Sequence, residues 1–196
     1  DVNIADGSSF GNVVSGTGSF VHSGTGALTL SSANTFTGTT SIPEVTASLI
    51  LANSLALQGS TLQYDTAGSP SPTSGGTIGF GSLTAATLGG LAGNKNLTLE
   101  NSTPAAVALT IGGNNVATTY SGALSGTGSL VKTGTAITTL TGACTYAGTT
   151  TVNGGQLDLS TGGGINGGAL TVGGSGKMVV SNGILTTSTG TLNVNS

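Results

Sequence analysis

Aliphatic residues alternate with small polar ones in short runs along the whole chain. The clearest are ALTL at Ala27, NLTL at Asn96, ALTI at Ala108, QLDL at Gln156, ALTV at Ala169 and TLNV at Thr191. A period of two puts the aliphatic side chains on one face of an extended segment and the polar ones on the other, so each run predicts a β-strand. GTG, GG, NGG and GSG separate the runs, and glycine supplies the positive φ that tight corners require. No window of about ten residues combines helical period with caps, so essentially no α-helix is predicted.

The pattern also repeats itself. Residues 15–42, SGTGSFVHSGTGALTLSSANTFTGTTSI, align without a gap on residues 125–152, SGTGSLVKTGTAITTLTGACTYAGTTTV, with about half the positions identical. The register extends backwards to place Phe10 against Tyr120, and NNVATTYSGAL from Asn114 is a third, partial echo. Self-similarity of this kind decides an architecture before any local motif does. Strand, corner, strand, corner, with small residues throughout, predicts a β-solenoid in which each coil stacks on the next about 4.8 Å away. With roughly 20 to 25 residues per coil, a single solenoid domain over 1–196 makes about eight or nine coils and a rod some 40 Å long. Inward Leu, Val and Ile fill a narrow core, and outward Thr and Asn form polar ladders. DTAGSPSPTSGGT, residues 65–77, is rich in Pro, Ser and Gly and is expected to leave the coil as a loop.

His22 and Lys132 hold the same repeat position, two residues after Phe20 and Leu130. On a straight strand both would point into the core, where an unpaired charge is too costly. The chain is therefore expected to turn there and to leave both on the surface of a corner.

Composition narrows the chemistry. Only 5% of the 196 residues are charged, the net charge is −3, and there are 36 Gly, no Trp, four Phe and three Tyr. Three Lys and no Arg offer phosphates nothing to bind, so nucleic acid is not an expected partner. No apolar run reaches the eighteen or so residues of a membrane helix, no cleavable signal peptide is visible, and no membrane insertion is expected. Cys144 is the only cysteine and forms no internal disulfide; it replaces the Asn34 of the first copy.

The second copy resembles the autotransporter-associated β-strand repeat. It carries Gly126, Gly128, Leu130, Lys132 and Gly134, then Leu140, Gly142, Ala143, Thr145, Tyr146 and Gly148, then Thr149, Thr150, Val152, Gly155 and Leu157. The resemblance implies an all-β, right-handed parallel β-helix in a secreted or surface-displayed bacterial protein. It implies a scaffold with no one activity. The chain departs from the pattern at Cys144, where Asn is usual and a rung of an Asn ladder is in doubt. It departs again at Pro43, Glu44 and Val45, where a different corner is expected.

No site is expected. Glycoside hydrolysis needs two carboxylates close together, whereas Asp1, Asp6, Glu44, Asp65, Glu100 and Asp158 are scattered. A Ser-His-Asp arrangement has His22 as its only base, and Cys144 has no evident base. GGSGKMVVS from Gly173 places Lys177 and Met178 where a calcium nonapeptide needs an Asp ligand. GGGING, residues 162–167, is read as a corner, because no capped helix follows it to hold a pyrophosphate. Catalytic, cofactor-binding and metal-ligating residues are thus all expected to be none, and the chain is not expected to be an enzyme. The sequons at Asn96 and Asn101 are read as chance.

The first and last residues still read as coil, without the polar caps of solitary solenoids. The expected function is an extracellular structural subunit whose partners are copies of itself, stacked head to tail into a filament. The alternative is a piece of an adhesin or autotransporter passenger, a stalk or binding module with cell-surface or matrix glycans as further partners; the remote alternative is a polysaccharide-active β-helix enzyme.

Overall fold

The structure is a computed structural model that describes residues 7–65, 75–160, 163–181, 183–187 and 192–194. Most of the loop expected at 65–77 lies outside the described residues, as do Asp1 and Asp6. Among the described residues there are 22 strands and no helix, and every strand pairing is parallel.

The strands wind into a β-solenoid of about eight turns. Ser8 pairs with Leu28, Leu130 with Thr150 and Thr150 with Leu170, so a coil takes 20 residues at its shortest along these rows. Ala85 pairs with Ala108 and Ala108 with Ser129, which gives slightly longer coils. One coil is much longer. Thr61 meets Gly90 instead of a residue some twenty on, because the segment around 65–77 is inserted there.

Each coil has three faces. One carries Ser8–Phe10, Ala27–Leu30, Ser48–Leu51 and Thr77–Gly79 at one end of the rod, with Leu124–Ser125, Ala143–Cys144, Gly164–Gly167 and Ile184–Thr187 towards the other. A nine-stranded sheet spans the other two faces. Its strands Leu57–Gln63 and Ala85–Ala92 are unusually long, with a shift of register between Leu57 and Thr61, and they bend from one face to the next. The first end of Ala85–Ala92 pairs with Ala108–Ile111, while its second end pairs back to Thr61–Gln63. Gly93, just beyond, bridges to Tyr120 and so leads into Thr118–Tyr120, Ile137–Leu140 and Gln156–Ser160.

The two repeat copies are consequently not stacked alike. Phe20 stands in a row with Thr40, Leu62 and Leu91. Leu130, its counterpart, stands in a row with Ala86, Leu109, Thr150 and Leu170, which belongs to the neighbouring face. The inserted segment and the long strands have turned the second copy by one face relative to the first.

The core is the expected aliphatic column. Leu28, Leu30, Leu49, Leu51, Leu62, Leu91, Leu109, Leu157 and Leu159 are all fully buried, each worth about 1.5–3 kcal/mol against exposure. The aromatics are few but not idle: Phe20, Phe36, Tyr64, Phe80, Tyr120 and Tyr146 all lie in this column. Some threonines also face inwards. Thr40, Thr138 and Thr150 are buried, and Thr40 shares a 2.8 Å hydrogen bond with Ser60. GGGING is not a corner: Gly164–Gly167 is a strand paired on both sides, with Ile165 in the core. Glycine can extend as well as turn, and composition alone does not tell the two apart.

Candidate functional site

Among the described residues, those that carry chemistry do not converge. Glu44 is exposed, Asp65 is buried and receives a 2.8 Å hydrogen bond from Gln63, and Glu100 accepts one from the Thr127 amide at 3.0 Å. Among the described residues no three of His, Cys, Asp and Glu gather where a metal could sit. No described helix is long and apolar enough to cross a membrane. The polar side chains of the interior act instead as fasteners between coils.

Lys132 is the clearest. It ends the strand Ser129–Lys132, in one row with Ile111 and Val152, and is fully buried. Its Nζ donates to the carbonyls of Thr133 and Gly154, the latter at 3.3 Å, so one ammonium joins the corners of two successive coils. Burial lowers its pKa by desolvation. His22 is equally buried; its Nε2–H donates to Gly26 O at 2.9 Å, and Nδ1 has no protein partner. The expectation that both residues sit on the surface is wrong. The corner does follow Lys132, with Gly134 at φ 70°, but the last strand residue before it still points inwards. From there its head reaches the carbonyls that the corner turns towards the core.

Lys95 is a fastener the sequence did not disclose. Its Nζ donates to Gly75 O and Gly76 O at 2.6 Å each and lies 5.4 Å from the centre of the Tyr64 ring. It thereby pins the point where the chain returns after the insertion. The available signal was rarity: the chain has three lysines, and two of them bond to corner carbonyls.

Asn34 is the third. Buried at 2% exposure, it accepts from Val14 N at 2.9 Å and donates to Ala56 O at 2.9 Å, bridging the coils on either side. Cys144, its counterpart, donates weakly to Gly142 O, at 3.7 Å, and meets the Leu124 backbone; burial pushes its thiol pKa up against a smaller lowering from Leu124, the opposite of a reactive thiolate. The doubt about that rung of the Asn ladder was therefore justified. Asn34→Cys is expected to lower stability by about 1–3 kcal/mol, because it leaves both backbone groups unsatisfied. Cys144→Asn is expected to raise it by about 1 kcal/mol. Urea unfolding of the two variants checks both signs.

The tyrosines give a pH dependence. Tyr120 OH donates to Lys95 O at 2.5 Å, Tyr146 OH bonds Thr150 Oγ1, and Tyr64 OH accepts from Ile78 N at 3.4 Å. Desolvation by burial raises all three pKa values above the ordinary 10.0, with Cys144 a lesser cause for Tyr120 and Tyr146. A group whose pKa is higher folded than unfolded adds stability that is complete below the unfolded pKa. That stability is lost as pH rises through the folded value. The rod is therefore expected to weaken above about pH 10, with tyrosinate absorbance rising in one cooperative step together with loss of β-structure. A gradual rise in the intact rod would contradict the burial.

Comparison with known proteins follows the same two segments. Residues 20–42 and 130–159 match the model of the passenger-associated-transport-repeat. No curated protein and no solved structure matches the chain. The matched segments overlap the two self-similar stretches and contain Asn34, Lys132 and Cys144. Two segments of the chain thus match the passenger-associated-transport-repeat, a repeat of autotransporter passengers, and that match implies a secreted or surface-exposed bacterial protein.

Proposed function

We propose that the chain is an extracellular structural rod, one solenoid over 1–196, whose copies stack head to tail into a filament. One observation carries this reading: strand after strand pairs in parallel with the coil before and the coil after it. Such a stack has a direction. Among the described strands, Phe20–Val21 has Thr39–Ser41 as its one sheet neighbour, and Leu192–Val194 has Leu170–Val172. Unpaired strand edges template further strands, and a head-to-tail contact between identical subunits does not close on itself. A net charge of −3 on 196 residues opposes close approach very little.

The function is mechanical, and a repeat of passenger scaffolds supports a non-enzymatic reading. A second reading, a stalk that displays the insertion to surface glycans, draws on the Lys95 clamp at the insertion's base. Electron microscopy of the purified chain at rising concentration separates the two. Unbranched filaments are expected. Single rods at every concentration would remove the filament and leave the stalk.

A further inference from the structure

Five described hydrophobic residues pack half-buried against the core, and four of them lie in the outermost described coils: Phe10 and Val14 in the first of these, Met178 and Leu185 in the last. The last coil also holds an apolar hollow of about 410 Å³, lined by Leu170, Val172, Met178, Val180 and Leu185, with Lys177 also on its wall. Val180 is 44% exposed there, and Val13, next to Val14, is 61% exposed.

We propose that this hollow receives Phe10 and Val14 of a second copy, so that the three faces run on without a break from one subunit to the next. The inference rests on the head-to-tail reading above and names its contact. Phe10 and Leu185 lie on the same face of the coil. Phe10 continues the inward row of Leu30 and Leu51, and Leu185 that of Cys144 and Ile165. Because every stacked strand is parallel, Ser8–Phe10 of the incoming copy meets Ile184–Thr187 in the same direction as each strand inside the rod meets its neighbour. The joint is then one more coil-on-coil contact of the kind the chain makes within itself. An aromatic knob from one end fills an aliphatic hollow at the other, which converts wet apolar surface into core. A side-by-side contact between rods would leave all four residues wet.

Ser9 and Ile184 provide the test. Both are exposed, and they neighbour Phe10 and Leu185 in their strands. With Phe10 over Leu185, their Cα atoms come within about 5 Å, inside disulfide reach. The double variant Ser9→Cys/Ile184→Cys is expected to form a covalent ladder of dimers, trimers and longer species on mild oxidation. Either single variant is expected to form none, since Cys144 is buried. Leu185→Asp is expected to raise the concentration needed for assembly by about tenfold or more, a charge being costly in an apolar joint. If that variant does not fold, the cross-link decides alone. Filaments that form without the cross-link overturn this joint and leave stacking in place. A wild-type chain that never assembles overturns both.

Discussion

Gly148→Ala is expected to destabilise the rod by about 3 kcal/mol, at the upper end of what an overpacked core costs. A Cβ on Gly148 would lie 2.2 Å from Gly128 O, and Gly148 N already donates to that carbonyl at 2.9 Å. The first copy has the same contact, where a Cβ on Gly38 would lie 2.3 Å from Gly18 O. The obstacle is backbone, which cannot swing aside as a side chain can, so two coils must separate locally. Gly173→Ala is the control: nothing lies within 4 Å of a Cβ there, and its effect should stay within about 0.5 kcal/mol. Equilibrium unfolding in urea reads both. This also explains why the aromatic-x-Gly step recurs at Phe36 to Gly38 and Tyr146 to Gly148. The glycine permits close approach between coils and has no need of a left-handed turn.

The second large effect falls on Lys132. Lys132→Ala removes a buried stem and strands the carbonyls of Thr133 and Gly154, so a loss of about 3–5 kcal/mol is expected. Lys132→Met strands the same carbonyls but refills the volume without a charge to desolvate, and should cost about 1–3 kcal/mol, less than the alanine variant. The charge leaves a further trace. Burial lowers the folded pKa below 10.5, so the unfolded chain binds this proton more tightly. Stability from this group therefore rises with pH between the lowered value and 10.5. Lys132→Met should remove that rise while leaving the tyrosine-driven loss at higher pH. Urea midpoints across the alkaline range, for wild type and both variants, check the ranking and the slope together.

The fold was legible because alternation is a direct record of which side chains face in. ALTL, ALTI and QLDL all became strands with the aliphatic side buried. The self-similar segments correctly announced stacked coils. What the sequence concealed was set by long-range geometry. Aligning Phe20 with Leu130 suggests that they stand in one row, and they do not. The insertion after Gln63 and the bent strand Ala85–Ala92 shift the phase by a face. A linear alignment counts residues and does not see how many go round a corner. Lys132 was misplaced for a related reason. The cost of burying a bare charge was judged correctly, but the carbonyls that answer it arrive from Thr133 and from Gly154, some twenty residues away. Asn34 is a related case: its repeat identity pointed to a ladder, and it lies buried and bonds the backbone of Val14 and Ala56 in the coils on either side.

Coils stack along the rod, and the proposed filament has rods stacking the same way. X-ray fibre diffraction from an aligned, concentrated preparation tests it most directly. A strong reflection near 4.8 Å is expected along the fibre axis, with a longer axial repeat of roughly 40 Å from subunits joined end to end. A reflection near 4.8 Å across the axis, or fibres with no subunit repeat along it, would rule out end-to-end stacking of rods.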